Sequence, residues 1–160
     1  MDFNKIQQIC IKDRETLGWS NSFKGMAIPL FLLMLDKNKH YSKAGTKLIT
    51  NLQNRIVFNE KDYGKSFIEY FTMWKERIEL TEEEYIQYIL WCEGEVAKRV
   101  EGITGNNHRN SYHKAAELIV QMGETLESNG KVNGKMLTVD YYKKLNSRKS
   151  AFKAEIDELI

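Results

Sequence analysis

Proline occurs once in this chain, cysteine twice and histidine three times, and each scarcity removes a class of explanation. With one proline and ten glycines among 160 residues, few turns are forced on the backbone, and long stretches of Leu, Ile, Lys, Glu and Met are free to run as helix. Cys10 and Cys92 lie far apart, with no CxxC or Cys/His spacing around either. That excludes a disulfide framework and a zinc finger and points to a reducing cytoplasm. No Gly-rich phosphate loop, nucleophile motif or HExxH helix occurs, so neither a metal nor a cofactor is expected. A dominant charge is missing too: 24 basic and 22 acidic residues leave +2, so no overall field draws the chain to nucleic acid or an anionic membrane. The most apolar run, MAIPLFLLML at 26–35, is half the length of the about 20 residues that span a bilayer. It reads as a buried helix, and no membrane association is expected. MDFNKIQQIC at the start has no apolar signal segment.

What is present is helical periodicity. A hydrophobic fraction of 42% supports one core, and residues 1–160 read as a single all-α domain. Phe3, Ile6, Ile9, Cys10 and Leu17 share a face of a first helix over roughly 2–16, which LGWSNS at 17–22 breaks. The run around Pro29 is apolar on every side, as in a central helix, with Pro29 expected in its first turn or at a kink. Tyr41, Ala44, Leu48, Leu52 and Ile56 mark a third helix, ended by NEKDYG at 59–64. Tyr63, Phe67, Phe71, Trp74 and Ile78 form an aromatic ladder that reads as core on a fourth. Thr81 and Glu84 form a capping box that starts a fifth helix near 82, running to about 101. A sixth is expected over 108–128, and a last pair near 135–145 and 148–159. The total is about seven or eight helices. Helix pairs over roughly 22–58, 63–101 and 108–145 begin 41 and 45 residues apart, the spacing of a TPR- or HEAT-like array, and an irregular bundle fits equally well.

Candidate site residues gather in GNNHRNSYHKAAELI at 105–119. On a helical wheel Tyr112, Ala115, Ala116, Ile119, Met122, Gly123 and Leu126 form one face, whereas Arg109, His113, Glu117, Glu124 and Glu127 form another. His113 and Glu117, one turn apart, read as a surface pair rather than metal ligands joined by His108 or Glu124, since zinc needs a third and usually a fourth ligand and no HExxH pattern occurs. His108, Arg109, Ser111 and His113 flank a helix start whose backbone donors suit an anion, although capping by Asn106 or Asn107 is the simpler explanation. Ala115, Ala116 and Gly123 leave room for a neighbouring helix. On the fifth helix, Glu93 falls among Tyr85, Ile86, Ile89, Leu90, Val96, Ala97 and Val100. Burial there demands a partner, for which Arg109 is the candidate, with His113 as the alternative. A net-positive stretch over 36–65 carries Lys39, Lys43, Lys47 and Arg55, a solvated basic face or a nucleic-acid contact.

The segment HRNSYHKAAELIVQMGETLESNG with YYKKLNSRKSAFKAEI after it resembles the helical C-terminal segment of a group of poorly characterised bacterial proteins, some of which carry a SWIM-type zinc finger. The likeness covers roughly the C-terminal half and rests on His108, Arg109, Ser111, Tyr112, Lys114, Ala115, Ala116, Gly123, Gly130, Arg148, Phe152 and Lys153. It implies a TPR-like segment serving interactions. The finger needs a CxC and a CxH, and neither occurs in this sequence, so a nucleic-acid role inherited from it does not carry over. The expected function is a non-catalytic, cytoplasmic protein-interaction module whose partner is another protein. The alternatives are a nucleic-acid-binding accessory protein using 36–65, and an enzyme or anion site at His108, Arg109 and His113 with Glu93.

Overall fold

A computed structural model describes residues 1–13, 19, 22–56 and 64–160. Among them the protein is all-α, with helices α1 (Phe3–Lys12), α2 (Lys24–Leu35), α3 (Lys43–Arg55), α4 (Phe67–Glu76), α5 (Glu82–Gly105), α6 (Tyr112–Ser128), α7 (Gly134–Leu145) and α8 (Ser150–Asp157), plus a 3-10 turn at Arg109–Ser111. The expected end of the first helix at 14–16, most of the break at 17–22, Lys61, Tyr63 and most of the 59–64 turn lie outside the described residues.

Local chemistry sets several helix starts. Asp2 accepts a hydrogen bond from the Lys5 amide at the head of α1. The capping box at Thr81 and Glu84 starts α5, with each side chain accepting from the other's backbone amide at 3.2 and 2.8 Å. Ser66 and Glu69 repeat the device at α4. Pro29 sits in the second turn of α2, not the first, and the helix runs on to Leu35. Its missing N–H leaves the Gly25 carbonyl without a helical donor.

Two helices form the centre. α2 is buried from Ala27 to Leu35 apart from the half-buried Leu30, as its all-round apolarity requires. α6 is buried from Ala115 to Thr125 and touches α2, α3, α5, α7 and α8. In a solenoid each repeat meets only its neighbours, so these contacts are those of an irregular bundle. The burial of α6 corrects the surface assignment of Glu117 and Glu124, both of which lie inside. Its polar side chains meet the end of α2, where the Leu35 carbonyl has no helical donor and that of Leu32 also accepts the Asp36 amide. Thr125 Oγ1 donates to the Leu32 carbonyl at 3.0 Å, Asn129 Nδ2 to that of Leu35 at 2.8 Å, and Gln121 Nε2 to Asp36 Oδ2 at 2.9 Å. Ser42 Oγ donates to Glu124 Oε2 at 2.6 Å, and Lys135 pairs with the same carboxylate at 2.9 Å. Gly123 lets α7 close on α6, since a Cβ there would lie 2.9 Å from Lys135 Cα.

Around this centre, Phe3 of α1 stacks with Tyr88 of α5 and Phe31 of α2 meets both edge-on, and Phe152 of α8 meets Tyr112 edge-on. Phe67 and Phe71 of the aromatic ladder are buried, but Trp74 is about half exposed and Ile78 lies past the end of α4. Cys10 and Cys92 are free and buried.

Candidate functional site

The deepest chemistry lies in a cleft of about 420 Å³ where α2, α3, α5 and α6 converge beside Trp19. Helical spacing builds its walls. On α3, Leu48, Asn51, Leu52 and Arg55 recur at three- and four-residue intervals and face the cleft together. On α6, His113 and Lys114 reach the rim, and Glu117 and Leu118, one turn further on, line the interior. Arg99 enters from α5. Its guanidinium lies over the Trp19 ring, 5.7 Å from the centroid. Gly25 allows the Arg55 guanidinium close to α2, because a Cβ there would come within 2.9 Å of Arg55 Nη1 and would run into the Trp19 carbonyl.

The electrostatics are lopsided. Arg55, Arg99 and Lys114 bring positive charge from three helices, and His113 adds a titratable base. Burial lowers the pKa of Arg99, and among the described residues no carboxylate pairs with it. Glu117 is the one acid among the described residues of the lining and is only 4% exposed. Asn51 Nδ2 donates to its Oε2 at 3.3 Å. Burial pushes the Glu117 carboxyl above the ordinary carboxylate value, while His113, Lys47 and Lys114 pull it back and Glu155 adds a small rise. Such a cleft can hold an anion. Among its described residues there is no nucleophile beside a base and no pair of carboxylates for acid–base work.

The structure divides the residues expected to form one anion site. His113 lies on the cleft, whereas Arg109 lines a second cavity of about 530 Å³ with Tyr112, Arg148 and Lys149. His108 lines neither, and Ser111 makes no side-chain cap. Asn106 and Asn107 do not cap the following helix. α5 runs on to Gly105, Asn106 Nδ2 donates to the Gly102 carbonyl, and Asn107 takes a left-handed φ of 53°.

Glu93 and Arg109 are also apart. Arg109 is exposed and Glu93 half-buried, and no ion pair joins them. The core face of α5 is Tyr88, Ile89, Cys92, Val96, Val100 and Ile103, turned away from the Ile86, Leu90 and Ala97 stripe on which Glu93 lies. The buried carboxylate is Glu95, 6% exposed, paired with Lys24 at 3.0 Å and Lys98 at 3.1 Å. Of the basic stretch, Lys39, Lys43 and Lys47 point to solvent and Arg55 joins the cleft. Arg99, Trp19 and Asn51 escaped the sequence reading. Asn51 and Arg55 share a helix face at i and i+4, but nothing local shows that α5 delivers Arg99 to that face.

A second surface is apolar. α7 buries Thr138, Val139 and Tyr142, yet Leu137, Tyr141 and Leu145 on its opposite side are 54%, 61% and 65% exposed. Ile86 and Leu90 do the same on α5. Glu93, on the α5 stripe, lies close enough to Tyr142 of α7 to act on it electrostatically. Burial, the adjoining Tyr141 and the Glu93 carboxylate of the α5 stripe push the Tyr142 hydroxyl up to about 12.

Among the described residues no group of three or more His, Cys, Asp or Glu is placed to hold a metal ion, and no helix is long and apolar enough to cross a membrane. Comparison with known protein families, with curated proteins and with solved structures finds no match to this chain.

Proposed function

We propose that the protein is a non-catalytic interaction module that docks an amphipathic helix of another protein along the exposed stripes of α5 and α7. The observation that carries this reading is the row Leu137, Tyr141 and Leu145. Single exposed apolar residues are ordinary, but three on the outer side of one helix make a patch of the kind that marks an interface, and Ile86 and Leu90 on α5 are exposed as well. Charge edges the two stripes differently: Glu83, Glu93 and Glu101 accompany the α5 stripe, whereas Asp140 and Lys144 offset each other beside that of α7. The partner helix is therefore apolar on one side, with basic residues toward α5. The resemblance of the C-terminal segment implies an interaction role as well. The nucleic-acid alternative has less behind it, because Lys43 and Lys47 are exposed on α3 and Lys39 on the turn before it, with no row of exposed aromatic side chains beside them.

A photo-crosslinking residue placed at 141 or at 90 tests the reading in cells of the source organism. The expected result is one protein captured from both positions and lost in Leu137→Glu, which is exposed and leaves the melting temperature unchanged. Two unrelated proteins, no captured protein, or capture of this chain by itself would overturn the reading.

A further inference from the structure

We propose that the cleft between α3, α5 and α6 binds a small amphipathic organic anion, its flat apolar body against Trp19 and the leucines and its carboxylate or phosphate group on Arg99. This inference does not depend on the docking stripes, which lie on other residues.

Arg99 carries the argument. A guanidinium withdrawn from water loses hydration that an ion pair normally restores. Arg99 is half-buried, and among the described residues its contact is the face of Trp19 at 5.7 Å, not a carboxylate. Other buried charges have a polar partner: Glu95 has Lys24 and Lys98, Glu124 has Lys135, Asp36 has the Gln121 amide and the half-buried Lys75 has the Asn38 carbonyl. Among the described residues Arg99 has its ring contact alone, and the open volume of the cleft lies beside it. Lys114 reaches the same cleft from α6, so an oxyanion there meets positive charge from two directions. Glu117 is buried at the base of the cleft, where its Oε2 accepts from Asn51.

The rest of the lining sets the body of the ligand. Trp19, Pro29, Leu48, Leu52 and Leu118 give the cleft an apolar side, which a bare inorganic ion would leave uncovered. Its volume of about 420 Å³ is in the range of sites for small molecules, roughly 300–1,000 Å³, where apolar walls surround a few placed polar groups. A fused two-ring aromatic acid fits this description. Bidentate pairing suits both carboxylate and phosphate.

The test uses 1-naphthyl phosphate and 2-naphthoate as probes, with 1-naphthol and inorganic phosphate as controls. Binding is followed by calorimetry and by the Trp19 indole N–H resonance, assigned through Trp19→Phe. At least one naphthyl anion is expected to bind and to move the Trp19 signal while leaving Trp74 in place, and which one binds tells phosphate from carboxylate recognition. Naphthol and inorganic phosphate are expected to bind at least about tenfold more weakly, because each lacks one half of the recognised group. Arg99→Gln is expected to weaken the anion by a similar factor, and Arg99→Lys by less. Should Arg99→Gln fail to fold, Lys114→Gln, on the exposed rim, replaces it and is expected to weaken binding by a smaller factor. The proposal is overturned if neither anion moves Trp19, if naphthol or inorganic phosphate binds as tightly as the naphthyl anions, or if removing charge at 99 or 114 changes nothing.

Discussion

Lys24 approaches the buried Glu95 carboxylate at 3.0 Å, and Lys98 holds its other oxygen at 3.1 Å. Breaking such a pair leaves a charge stranded in the interior, whereas replacing both partners by apolar groups removes the problem. Lys24→Met is expected to lower unfolding free energy by about 3 kcal/mol, and Lys24→Met with Glu95→Leu to recover most of it. Urea unfolding of the two variants measures both steps. Glu117 gives the opposite case. Burial raises its pKa in the folded state, so the folded protein binds the proton more tightly than the unfolded chain does. Stability therefore falls as pH rises from the unfolded carboxylate value through the raised folded one, and stays lower above it. Glu117→Gln is expected to melt higher than the natural protein at pH 7.5 and at nearly the same temperature at pH 4, as thermal scans at the two values would show. Neither residue was legible as buried. Ile86, Leu90 and Ala97 suggested a core face for α5 that holds Glu93, because a helix with apolar residues on two sides offers two candidate faces and the sequence does not rank them.

At the scale of elements, capping chemistry was the most readable feature. Thr81 and Glu84 place the start of α5 because both hydrogen bonds close within four residues. The boundary between α5 and α6 was not readable in the same way. Asn106 and Asn107 suit a helix end as well as a helix start, and here they end one. The buried polar side of α6 was equally hidden. Glu117, Gln121, Glu124 and Thr125 look like a solvated face until α2, α3 and α7 bring Asp36, Ser42, Asn51 and Lys135 against them. Gly123 was legible as a packing position, and its contact with α7 gives a direct test. Gly123→Ala places a methyl group 2.9 Å from the Lys135 backbone, which cannot swing aside as a side-chain tip would. A loss of about 1–3 kcal/mol is expected from the forced shift of α7, outweighing the helix propensity gained by alanine. Chemical denaturation reads the difference.

For the whole molecule, the all-α class followed from composition and period, while the arrangement did not. The regular spacing of helix pairs suggests a stack, but it is silent on which helix each one meets. The structure puts α6 against five others, and the bonds from α6 to the 32–42 stretch join parts of the chain more than 80 residues apart. Interactions of that span make the bundle unfold as a unit. Helical circular dichroism and tryptophan fluorescence are expected to give one coincident transition in urea, whereas a stack of semi-independent repeats would spread them.

Cys10 on α1 and Cys92 on α5 lie out of reach of solvent in this assembly, and burial raises the pKa of both, that of Cys10 to about 11. A thiol in that state reacts with an alkylating reagent only when its surroundings open, so the protein carries two built-in clocks, one near its N-terminus and one at its centre. If α1 detaches by itself, Cys10 is alkylated while Cys92 is still unmodified. If both are modified at a single rate, the first helix holds its place until the whole bundle lets go.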